Sequence, residues 1–381
     1  MKILIVGAGC CGASAARSLA EKGWDITLID RRAHIGGNTY DQYNECGQLY
    51  HCYGPHVFFT NKEDVWSFLL PFGPWVPYRS MVGVELDGQI HPMPFQTSTL
   101  SALTGNTHLQ TELSAEFVGR TSVQVYDLLN SKNPAIRQAG IQLYEKDCVP
   151  YNKKQWNMSP DELLTEVLAS APVFIQPQEQ FRQEKWQYMP LLGFTDLFLK
   201  MLNHSNIHLK LNTNASECFT VSETNTIFWK KDSYDCILYT GTLDELFSFR
   251  FGRLPYRSLQ FKAEQVDGQN GLPYFAVYYP DERLPYTRRT DYSYLPGNGG
   301  CSHMIISEIP VEWRSGLEPF YVIRTAQSEA CSEQYRKLAS TIPHFYFSGR
   351  LAEFRYLNMD DAIQAGLRIA EQIDRAETER V

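Results

Sequence analysis

The first thirty residues alternate between apolar runs and a helical pattern. Residues 2–6 form a short apolar run, which is typical of a strand buried on both faces. Residues 10–22 then place alanines and a leucine at helical spacing, and Gly23 supplies a helix stop. A second apolar run follows over residues 25–30. This pattern predicts a strand–helix–strand unit of the kind that opens a parallel sheet.

Downstream, the pattern predicts several further kinds of segment. Residues 64–70 fit a helix ended by prolines, and residues 81–90 alternate around Asp87-Gly88, the strongest hairpin signal in the chain. Residues 98–147 are polar and helical in character. Residues 171–190 carry three prolines and little periodicity, which is typical of a mobile or functional loop. Strands are expected over residues 207–211, 235–239, 274–279, 304–309 and 344–347, and a last helix from about residue 360.

Together these elements predict an α/β fold with three parts. A discontinuous Rossmann-like dinucleotide domain takes residues 1–76, 192–242 and 322–381. A small helical domain takes residues 98–150. An antiparallel β-sheet substrate domain, which includes the mobile loop, takes residues 77–97, 151–191 and 243–321. We expect the substrate cleft where the three parts meet.

Composition narrows the class of protein. The chain has 381 residues with 35 Lys+Arg and 43 Asp+Glu, so its formal charge of -8 argues against a surface built for nucleic acid. Nine cysteines without a CxxC motif resemble neither a disulfide framework nor a zinc site, and we expect a reducing cytoplasm and no metal. No apolar run is long enough to predict a membrane span. Aromatic residues make up 13% of the chain and offer stacking partners to a planar ligand.

A glycine-rich turn lies between the first predicted strand and helix. The sequence GAGCCG over residues 7–12 fits GxGxxG, in which the glycines permit a tight turn, a close backbone approach to a pyrophosphate and close helix–strand packing. Asp30 follows Gly9 by 21 residues, where a carboxylate can bind ribose hydroxyls. The alternative is a turn with a purely structural role. Because strand, helix and distal acid all occur in order, we predict dinucleotide binding.

Three further features resemble the flavoprotein pattern and thereby favour FAD over NAD. A basic residue follows the ribose-binding acid, Gly36-Gly37 could lie over the pyrophosphate, and two short Gly-containing turns follow late strands. An ordinary charged surface turn is the alternative for the first two. The candidate cofactor-binding residues that these features indicate are Gly7, Gly9, Cys10, Cys11, Gly12, Asp30, Arg31, Gly37, Asn38, Thr240, Gly241, Gly349 and Arg350.

With these residues in hand, the chain resembles the bacterial UDP-galactopyranose mutase family from end to end. The segments that carry the resemblance occur in the family's order. They are Ile35–Tyr40 (IGGNTY), Tyr53–Phe58 (YGPHVF), Tyr151–Trp156 (YNKKQW), Phe249–Gly252 (FRFG), Tyr256–Leu259 (YRSL), Pro285–Arg288 (PYTR) and Gly349–Glu353 (GRLAE). Several motifs in one order are far more specific than the glycine turn alone.

The resemblance implies an isomerase that interconverts UDP-galactopyranose and UDP-galactofuranose, or close relatives, for polysaccharide biosynthesis. FAD must be reduced for this reaction: its N5 attacks the anomeric carbon as the nucleotide diphosphate leaves, and the sugar ring opens and recloses through O4. The protein must therefore hold a diphosphate and clamp the sugar against N5. The family also implies a homodimer.

The same resemblance assigns roles to single residues. Arg288 is expected to be the main diphosphate clamp, with Tyr321 and Tyr356 as hydroxyl donors. Tyr151 and Trp156 are expected to contact the sugar and the nucleotide. Taken alone, an aromatic residue such as Trp156 is more often part of a core than of a ligand site.

On the flavin side, His56 is expected to orient the N5 or O4 edge. Arg250 and Arg350 are expected to flank the ring, and Arg350 is the better candidate to offset the charge of the reduced flavin. Asn38 is expected to contact the flavin, and the start of the last helix, around residues 359–362, should face its O2. Plainer alternatives are a structural histidine and surface arginines.

The chain departs from the family in the mobile loop. Phe174 stands where the family has an arginine that reaches the diphosphate. Losing one charge-assisted phosphate contact costs about 1.5–3 kcal/mol, so another cation should replace it. Arg182 or Lys185, farther along the loop, could do so.

Other departures make the pocket more apolar. Phe59 replaces a usual histidine, Trp186 stands where a nucleobase-side tyrosine is expected, and Asn358 replaces a usual aspartate. Fewer polar groups favour a sugar with fewer hydroxyls or another nucleotide. The substrate could therefore be a deoxy or N-acetylated sugar, such as dTDP-fucopyranose, instead of UDP-galactopyranose.

Two rival functions remain open at this point. An amine-oxidase-like flavin oxidoreductase shares the dinucleotide turn and the Gly-Gly element, but it leaves Arg288, Tyr321 and Tyr356 unexplained. A non-catalytic flavin or nucleotide-sugar binding protein is suggested by the missing loop arginine. Oxygen consumption would identify the first, and tight binding without isomerisation would identify the second.

Overall fold

The computed structural model describes residues 1–159, 172–177, 182–268, 270–299 and 302–379. Its strands are numbered in chain order. They are β1 (Lys2–Val6), β2 (Asp25–Ile29), β3 (Asp41–Tyr43), β4 (Leu49–His51), β5 (Phe58–Thr60), β6 (Trp75–Pro77), β7 (Val82–Leu86), β8 (Gln89–Met93), β9 (Phe95–Gln96), β10 (Ser122–Val123), β11 (Val173–Phe174), β12 (Trp186–Pro190), β13 (Ile207–Lys210), β14 (Phe219–Val221), β15 (Ile227–Trp229), β16 (Cys236–Tyr239), β17 (Tyr256–Asp267), β18 (Ala276–Tyr278), β19 (Arg288–Asp291), β20 (Ser302–Glu312), β21 (Tyr321–Val322) and β22 (Phe345–Phe347).

The α-helices of the described residues are numbered in the same way. They are α1 (Cys10–Glu21), α2 (Glu63–Leu69), α3 (Thr97–Thr104), α4 (Leu109–Glu116), α5 (Val125–Leu129), α6 (Pro134–Leu143), α7 (Val149–Trp156), α8 (Gly193–Leu202), α9 (Leu243–Leu246), α10 (Ala326–Ser340) and α11 (Met359–Thr378). One π-helical turn, Tyr144–Cys148, joins α6 to α7. No helix in these ranges is long and apolar enough to cross a membrane.

The predicted parallel sheet is confirmed. Five parallel strands lie in the order β13-β2-β1-β16-β22. The apolar run of β1 is buried on both faces, since Ile3 and Ile5 belong to one hydrophobic cluster and Leu4 to another. The carboxyl ends of these strands meet at one edge of the sheet, where ligands bind in open α/β sheets.

Two helices that are far apart in sequence cover one face of this sheet. The hydroxyl of Ser14 on α1 donates to the carbonyl of Ile363 on α11 at 3.2 Å. Gly366 makes this approach possible, because a Cβ there would lie 2.1 Å from the Ser14 hydroxyl oxygen. The dinucleotide domain is therefore discontinuous, as predicted.

A second sheet has seven strands in the order β21-β17-β20-β19-β18-β7-β8. It is antiparallel except for the parallel pair of β18 and β7, so the predicted antiparallel sheet is confirmed with one exception. The hairpin of β7 and β8 turns at Asp87 and Gly88, whose φ angles of 52° and 78° suit a primed turn. The longest strand, β17, was not predicted, because much of it alternates between charged and small residues.

Helices α3–α6 form the predicted helical insertion, with a core that includes Leu100, Leu109 and Ile136. The prediction of a loop over residues 171–190 is wrong in part. Residues 173–174 pair with β9 and β10, and residues 186–190 form a strand between β5 and β6. Residue 171 and residues 178–181 of that loop lie outside the described residues. The exact domain boundaries stay a prediction.

Candidate active site

A cavity of about 580 Å³ opens at the carboxyl edge of the parallel sheet. Each predicted cofactor-binding residue lines it, from the first glycine turn to the start of α11. They are Gly7, Gly9, Cys10, Cys11, Gly12, Asp30, Arg31, Gly37, Asn38, His56, Thr240, Gly241, Gly349, Arg350, Met359 and Ala362. The fold thus brings together residues that are more than 300 positions apart in sequence.

Two glycine loops meet at the floor of this cavity. A Cβ on Gly12 would lie 1.9 Å from the carbonyl oxygen of Gly7, so only glycine lets α1 approach the turn so closely. Gly37 has a φ of +58°, and a Cβ there would lie 2.9 Å from the Cα of Gly9. Gly9 is the N-cap of α1 and makes no side-chain capping hydrogen bond, and residues 9–12 at this end of the helix line the cavity. Such an end favours an anion.

Asp30 supports the first glycine turn. One of its carboxylate oxygens accepts the N–H of Ala8 at 2.8 Å, and the other accepts the N–H of Arg32 at 2.9 Å. The predicted ribose ligand is thus also a brace for the turn. Since each carboxylate oxygen has a second lone pair, both functions are compatible.

Arginines flank the mouth of the cavity. Arg31 and Arg32 donate to the same oxygen of Glu318, each at 2.6 Å, and Glu318 itself lines the cavity. The guanidinium of Arg32 also lies 4.6 Å from the ring centroid of Tyr53. This ion-pair cluster joins the dinucleotide domain to the segment before β21.

Both cysteines of the glycine turn are neutral thiols. Burial raises the pKa of Cys10 to about 11 and that of Cys11 to about 12. At neutral pH they contribute small apolar surface to the cavity wall and carry no charge.

His56 and Arg350 form the polar end of the cavity. The ring Nδ1 of His56 lies 2.8 Å from the carbonyl oxygen of Gly54, and because a carbonyl only accepts, Nδ1 carries the proton. Burial, reinforced by Arg350, lowers the pKa of His56 to about 3, so the ring is neutral and Nε2 holds a lone pair. Arg350 donates to the carbonyls of Phe320 and Leu357, at 3.4 and 2.5 Å. These partners are uncharged, and no carboxylate of the described residues forms an ion pair with Arg350, so its positive charge is not compensated within that part of the chain.

Arg288 lies on β19 and forms a tight pair with Glu308 on β20. Its Nε and Nη2 donate to the two oxygens of Glu308 at 2.7 and 2.8 Å, and its Nη1 donates to the hydroxyl of Tyr278 at 3.1 Å. The register of the two strands sets residues 288 and 308 directly opposite each other. Three of the five guanidinium N–H donors are thus used within the described part of the chain, and two remain for a ligand. The expected diphosphate clamp is an electrically neutral pair.

A ladder of rings leads from the cavity wall to the end of helix α7. Arg350 lies 4.7 Å from the ring centroid of Tyr356, which stacks on Tyr321 at 6.3 Å. Tyr321 makes an edge contact with Trp156 at 5.8 Å. Burial raises the pKa of Tyr321, so its hydroxyl stays a donor at neutral pH. Four residues predicted as separate contacts therefore form one continuous surface.

Helix α7 carries two of the predicted substrate contacts. Tyr151 makes an edge contact with Tyr278, the partner of Arg288, at 5.8 Å. The carbonyls of Lys154 and Gln155 in the last turn accept hydrogen bonds from buried Arg257 at 3.2 and 2.7 Å. Because these bonds tie the helix to β17, they fix the position of Trp156, which follows directly.

Two of the residues that depart from the family, Phe59 and Trp186, lie on the paired strands β5 and β12. The guanidinium of Arg182 lies 3.9 Å from the ring centroid of Phe59. Gln187, opposite Phe59 in register, donates to the carbonyls of Arg182 and Glu184 at 3.2 and 3.1 Å. Trp186 lies on the same strand as Gln187 and stacks on Trp66. Arg182 is thus held over an aromatic ring.

The structure does not bring every predicted substrate residue to this region. Arg250 is exposed and donates to the carbonyl of Glu223 at 3.4 Å, because Ser248 and Phe249 with positive φ angles turn the chain outward. Arg250 is not among the residues that line the cavity, and its expected place beside the flavin stays a prediction. Phe174 lies in the small sheet beside the helical core.

Asn358 lines the cofactor cavity and caps α11. Its side chain accepts from the backbone of Asp361, whose side chain in turn accepts the N–H of Asn358 at 3.2 Å. The residue proposed as a substrate contact is thus held by the helix it begins.

Sequence reasoning missed two partners of Arg288. Glu308 is 3% exposed and interrupts an apolar strand, and an acid in such a run signals a buried ion pair. That signal was present in the sequence. Tyr278 gave no comparable signal among 22 tyrosines.

Comparison with known proteins identifies the family. The family model for UDP-galactopyranose mutase matches residues 148–356, and a model for NAD(P)-binding Rossmann-like domains matches residues 5–70. The chain belongs to the UDP-galactopyranose mutase family. This membership confirms the resemblance inferred from the sequence motifs.

Relatives of this mutase-family chain match along its whole length. It is 32% identical to a dTDP-fucopyranose mutase of Escherichia coli, with 97% of each chain covered. It is also 32% identical to a probable UDP-galactopyranose mutase of Klebsiella pneumoniae, over 97% of this chain and 94% of the other.

Solved structures share the fold of this mutase-family chain. A crystal structure of reduced UDP-galactopyranose mutase matches with a TM-score of 0.71 at 18% identity, over 98% and 96% of the two chains. A putrescine oxidase variant matches with a TM-score of 0.58 at 13% identity, over 98% and 99%. The fold alone therefore does not separate a mutase from an amine oxidase.

Proposed function

We propose that this chain interconverts the pyranose and furanose forms of a nucleotide-diphosphate sugar, with reduced FAD in the cavity at the sheet edge. The ladder of rings carries the proposal: it begins at Arg350 in the cavity wall and continues through Tyr356 and Tyr321 to Trp156. A sugar nucleotide on this ladder would lie against a cofactor in the cavity. An oxidase would have no need for such a surface beside Arg288.

The residues of the cavity fit FAD. The close approach of Gly9 and Gly37 leaves backbone where a side chain would block a pyrophosphate, and the N-terminus of α1 faces the same place. Asp30 at the end of β2 is available to ribose hydroxyls. When bound and reduced, the flavin would supply an electron-rich nitrogen nucleophile.

The chain's own residues supply orientation and charge. The neutral ring of His56 presents the lone pair of Nε2 and can accept a hydrogen bond at the cofactor edge. The uncompensated charge of Arg350 favours an anionic ring beside it. Arg288 offers its two remaining N–H donors to a diphosphate, and Tyr321 offers its hydroxyl.

Arg182 supplies a further cation for the phosphates in this proposal. Because Arg288 is neutralised by Glu308, a second cation is needed to balance a diphosphate. Arg182 lies over Phe59, and Gln187 holds its backbone. Its guanidinium faces the carboxylate of Glu184 at 3.7 Å, a looser pair than the two-oxygen contact of Arg288 with Glu308, and it would exchange this partner for a phosphate. We expect Arg182→Ala to raise KM for a nucleotide sugar about tenfold, and Arg182→Lys to recover part of that loss. An unchanged KM would remove Arg182 from the site.

Two substrates are candidates. UDP-galactopyranose follows from the family model, and dTDP-fucopyranose from a relative of equal identity. The phenyl ring of Phe59, in place of the family's usual histidine, favours the deoxy sugar, since it cannot form a hydrogen bond to an additional hydroxyl. The thymine methyl group would also find apolar surface there.

The test uses purified protein reconstituted with FAD and reduced by dithionite. UDP-galactofuranose, dTDP-fucofuranose and an N-acetylated UDP sugar are incubated in parallel, and pyranose products are resolved by anion-exchange chromatography. Oxidised enzyme is the control and should be inactive. Oxygen consumption with amines and no sugar conversion would support an oxidase instead. Tight binding of a nucleotide sugar without conversion would support a non-catalytic binding protein.

We also propose a homodimer in a reducing cytoplasm. The family supports the first, and the free thiols of all eight described cysteines support the second. Light scattering after gel filtration should give about twice 43.7 kDa. A monomeric mass would contradict the dimer.

A further inference from the structure

His51 is a fully buried histidine at the end of β4, one short loop before His56. Its ring lies edge-on to Tyr292 and Phe194, with centroids 5.3 and 5.7 Å away. The ring is absent from the lining of the cofactor cavity. It therefore cannot touch a ligand there, and any role in the site must act through a neighbour.

The neighbour is His56. Nδ1 of His51 accepts a hydrogen bond from the backbone N–H of His56 at 2.9 Å. Because an amide N–H only donates, Nδ1 of His51 is unprotonated and the ring proton is on Nε2. Burial, with a smaller contribution from His56, holds the pKa of His51 well below its usual value, which keeps this neutral form.

The proton on Nε2 of His51 has no hydrogen-bond partner among the described residues. The carboxylate of Asp41 is 4.0 Å away, and its oxygens accept the N–H groups of Phe194 and Thr195. An unpaired buried donor costs about 1–3 kcal/mol. An apolar ring would fill the same space without this cost. The contribution that an apolar ring could not make is the Nδ1 acceptor for the backbone N–H of His56.

Two hydrogen bonds of His56 fix the loop from residue 52 to residue 56: its backbone N–H donates to His51, and its ring donates to Gly54. His56 closes it by donating from Nδ1 to the carbonyl of Gly54. Gly54 packs against the Arg288–Glu308 pair, since a Cβ there would lie 3.3 Å from Nη2 of Arg288. The loop therefore stands between the cofactor cavity and the diphosphate clamp. A shift of its backbone would move the His56 ring relative to both.

We propose that His51 is a positioning residue for the reaction: its Nδ1 fixes the backbone of His56 and thereby aims Nε2 of His56 into the cavity. The catalytic part of this inference rests on the proposed mutase function. The structural part does not rest on that function: the two histidine rings of one loop are opposite tautomers, with the proton on Nε2 in His51 and on Nδ1 in His56.

Two variants separate the acceptor from the bulk of the ring. His51→Asn keeps an acceptor atom at the position of Nδ1, and His51→Leu has similar size without one. We expect kcat of the leucine variant to fall about ten- to a hundredfold with KM changed less than about twofold, and a shifted absorption band of the oxidised flavin. The asparagine variant should stay within about threefold of the wild type.

Leu113→Ala is the matched control, because it opens a buried site in the helical core, away from the cavity. It should lower the unfolding temperature without changing kcat at 25 °C or the flavin spectrum. If both His51 variants retain wild-type kcat, or if the asparagine variant loses as much as the leucine variant at equal stability, the proposal is overturned.

A measurement on the unchanged protein covers the case in which the leucine variant does not fold. ¹⁵N NMR of histidine-labelled, FAD-bound protein should show the Nε2–H form for His51 and the Nδ1–H form for His56. An Nδ1–H form of His51 would overturn the proposal. This readout needs no substrate. Failure of the wild type to convert any nucleotide sugar would therefore refute the proposed function and leave this result intact.

Discussion

The buried pair of Arg288 and Glu308 allows a quantitative prediction. Glu308 is 3% exposed and binds Arg288 through both oxygens, so Glu308→Gln removes one charge and sets an amide NH₂ against a guanidinium N–H. Breaking a buried pair by removing one partner costs about 3–5 kcal/mol. For a chain of 381 residues the entropy of unfolding near 60 °C is about 0.8 kcal/mol/K. The unfolding temperature should therefore fall by about 4–6 °C.

The same strand offers a control. Glu312 is exposed on β20 and faces Arg314 across 3.6 Å, so Glu312→Gln should change stability by less than about 0.5 kcal/mol. Differential scanning calorimetry of both variants, without and with FAD, measures the difference. Equal unfolding temperatures for the two variants would refute the assignment of a stabilising buried pair. We further expect Glu308→Gln to bind UDP or dTDP no more weakly, because the substitution frees N–H donors of Arg288.

Three other predictions follow from the cavity. Between pH 6.5 and about 3 the unfolded chain binds a proton at His56 that the native chain does not, so the free energy of unfolding should fall as the pH drops below 6.5. His56→Asn should flatten this slope in urea titrations, and an unchanged slope would contradict the neutral ring. Gly37→Ala should weaken FAD retention at least tenfold, as measured by equilibrium dialysis. Gly47 also has a positive φ but has no neighbour within 4 Å of the position that a Cβ would take, so Gly47→Ala should leave FAD retention unchanged. Equal effects of the two substitutions would mean that the positive φ alone causes the loss. In maleimide labelling followed by mass spectrometry, exposed Cys46 should react first and Cys11 only after unfolding; rapid labelling of Cys11 would contradict its burial.

Local motifs were predicted well from the sequence. The turn from Gly7 to Gly12 and the acid Asp30 follow a fixed spacing that one strand–helix–strand unit imposes, so residue order alone specifies their geometry. The hairpin at Asp87-Gly88 could also be predicted from residue order, because its turn requires residues that tolerate positive φ. In these places the chemistry and the backbone conformation depend on neighbours along the chain.

The pairing of residues across the second sheet could not be predicted from neighbours along the chain. Glu308 opposes Arg288 only because β19 and β20 adopt one register, and a slip of one residue would set the acid on the other face. The exposed position of Arg250 follows Ser248 and Phe249, whose positive φ angles ordinary side chains seldom adopt and the residue order does not indicate. Residues 186–190 show no alternation of apolar and polar residues that would predict a strand. They form one because they pair with β5 on one side and β6 on the other.

The contact between Ser14 on α1 and the backbone of α11 has a consequence for biosynthesis. The glycine turn that begins α1 emerges from the ribosome early, but Gly349, Arg350 and the start of α11 must be synthesised before the cavity wall is complete. Nearly the whole length of the message must therefore be translated before a nascent chain could capture its cofactor. Closing such long-range contacts is slow relative to local helix formation. The FAD proposed above would therefore be bound after synthesis of the chain and not during it.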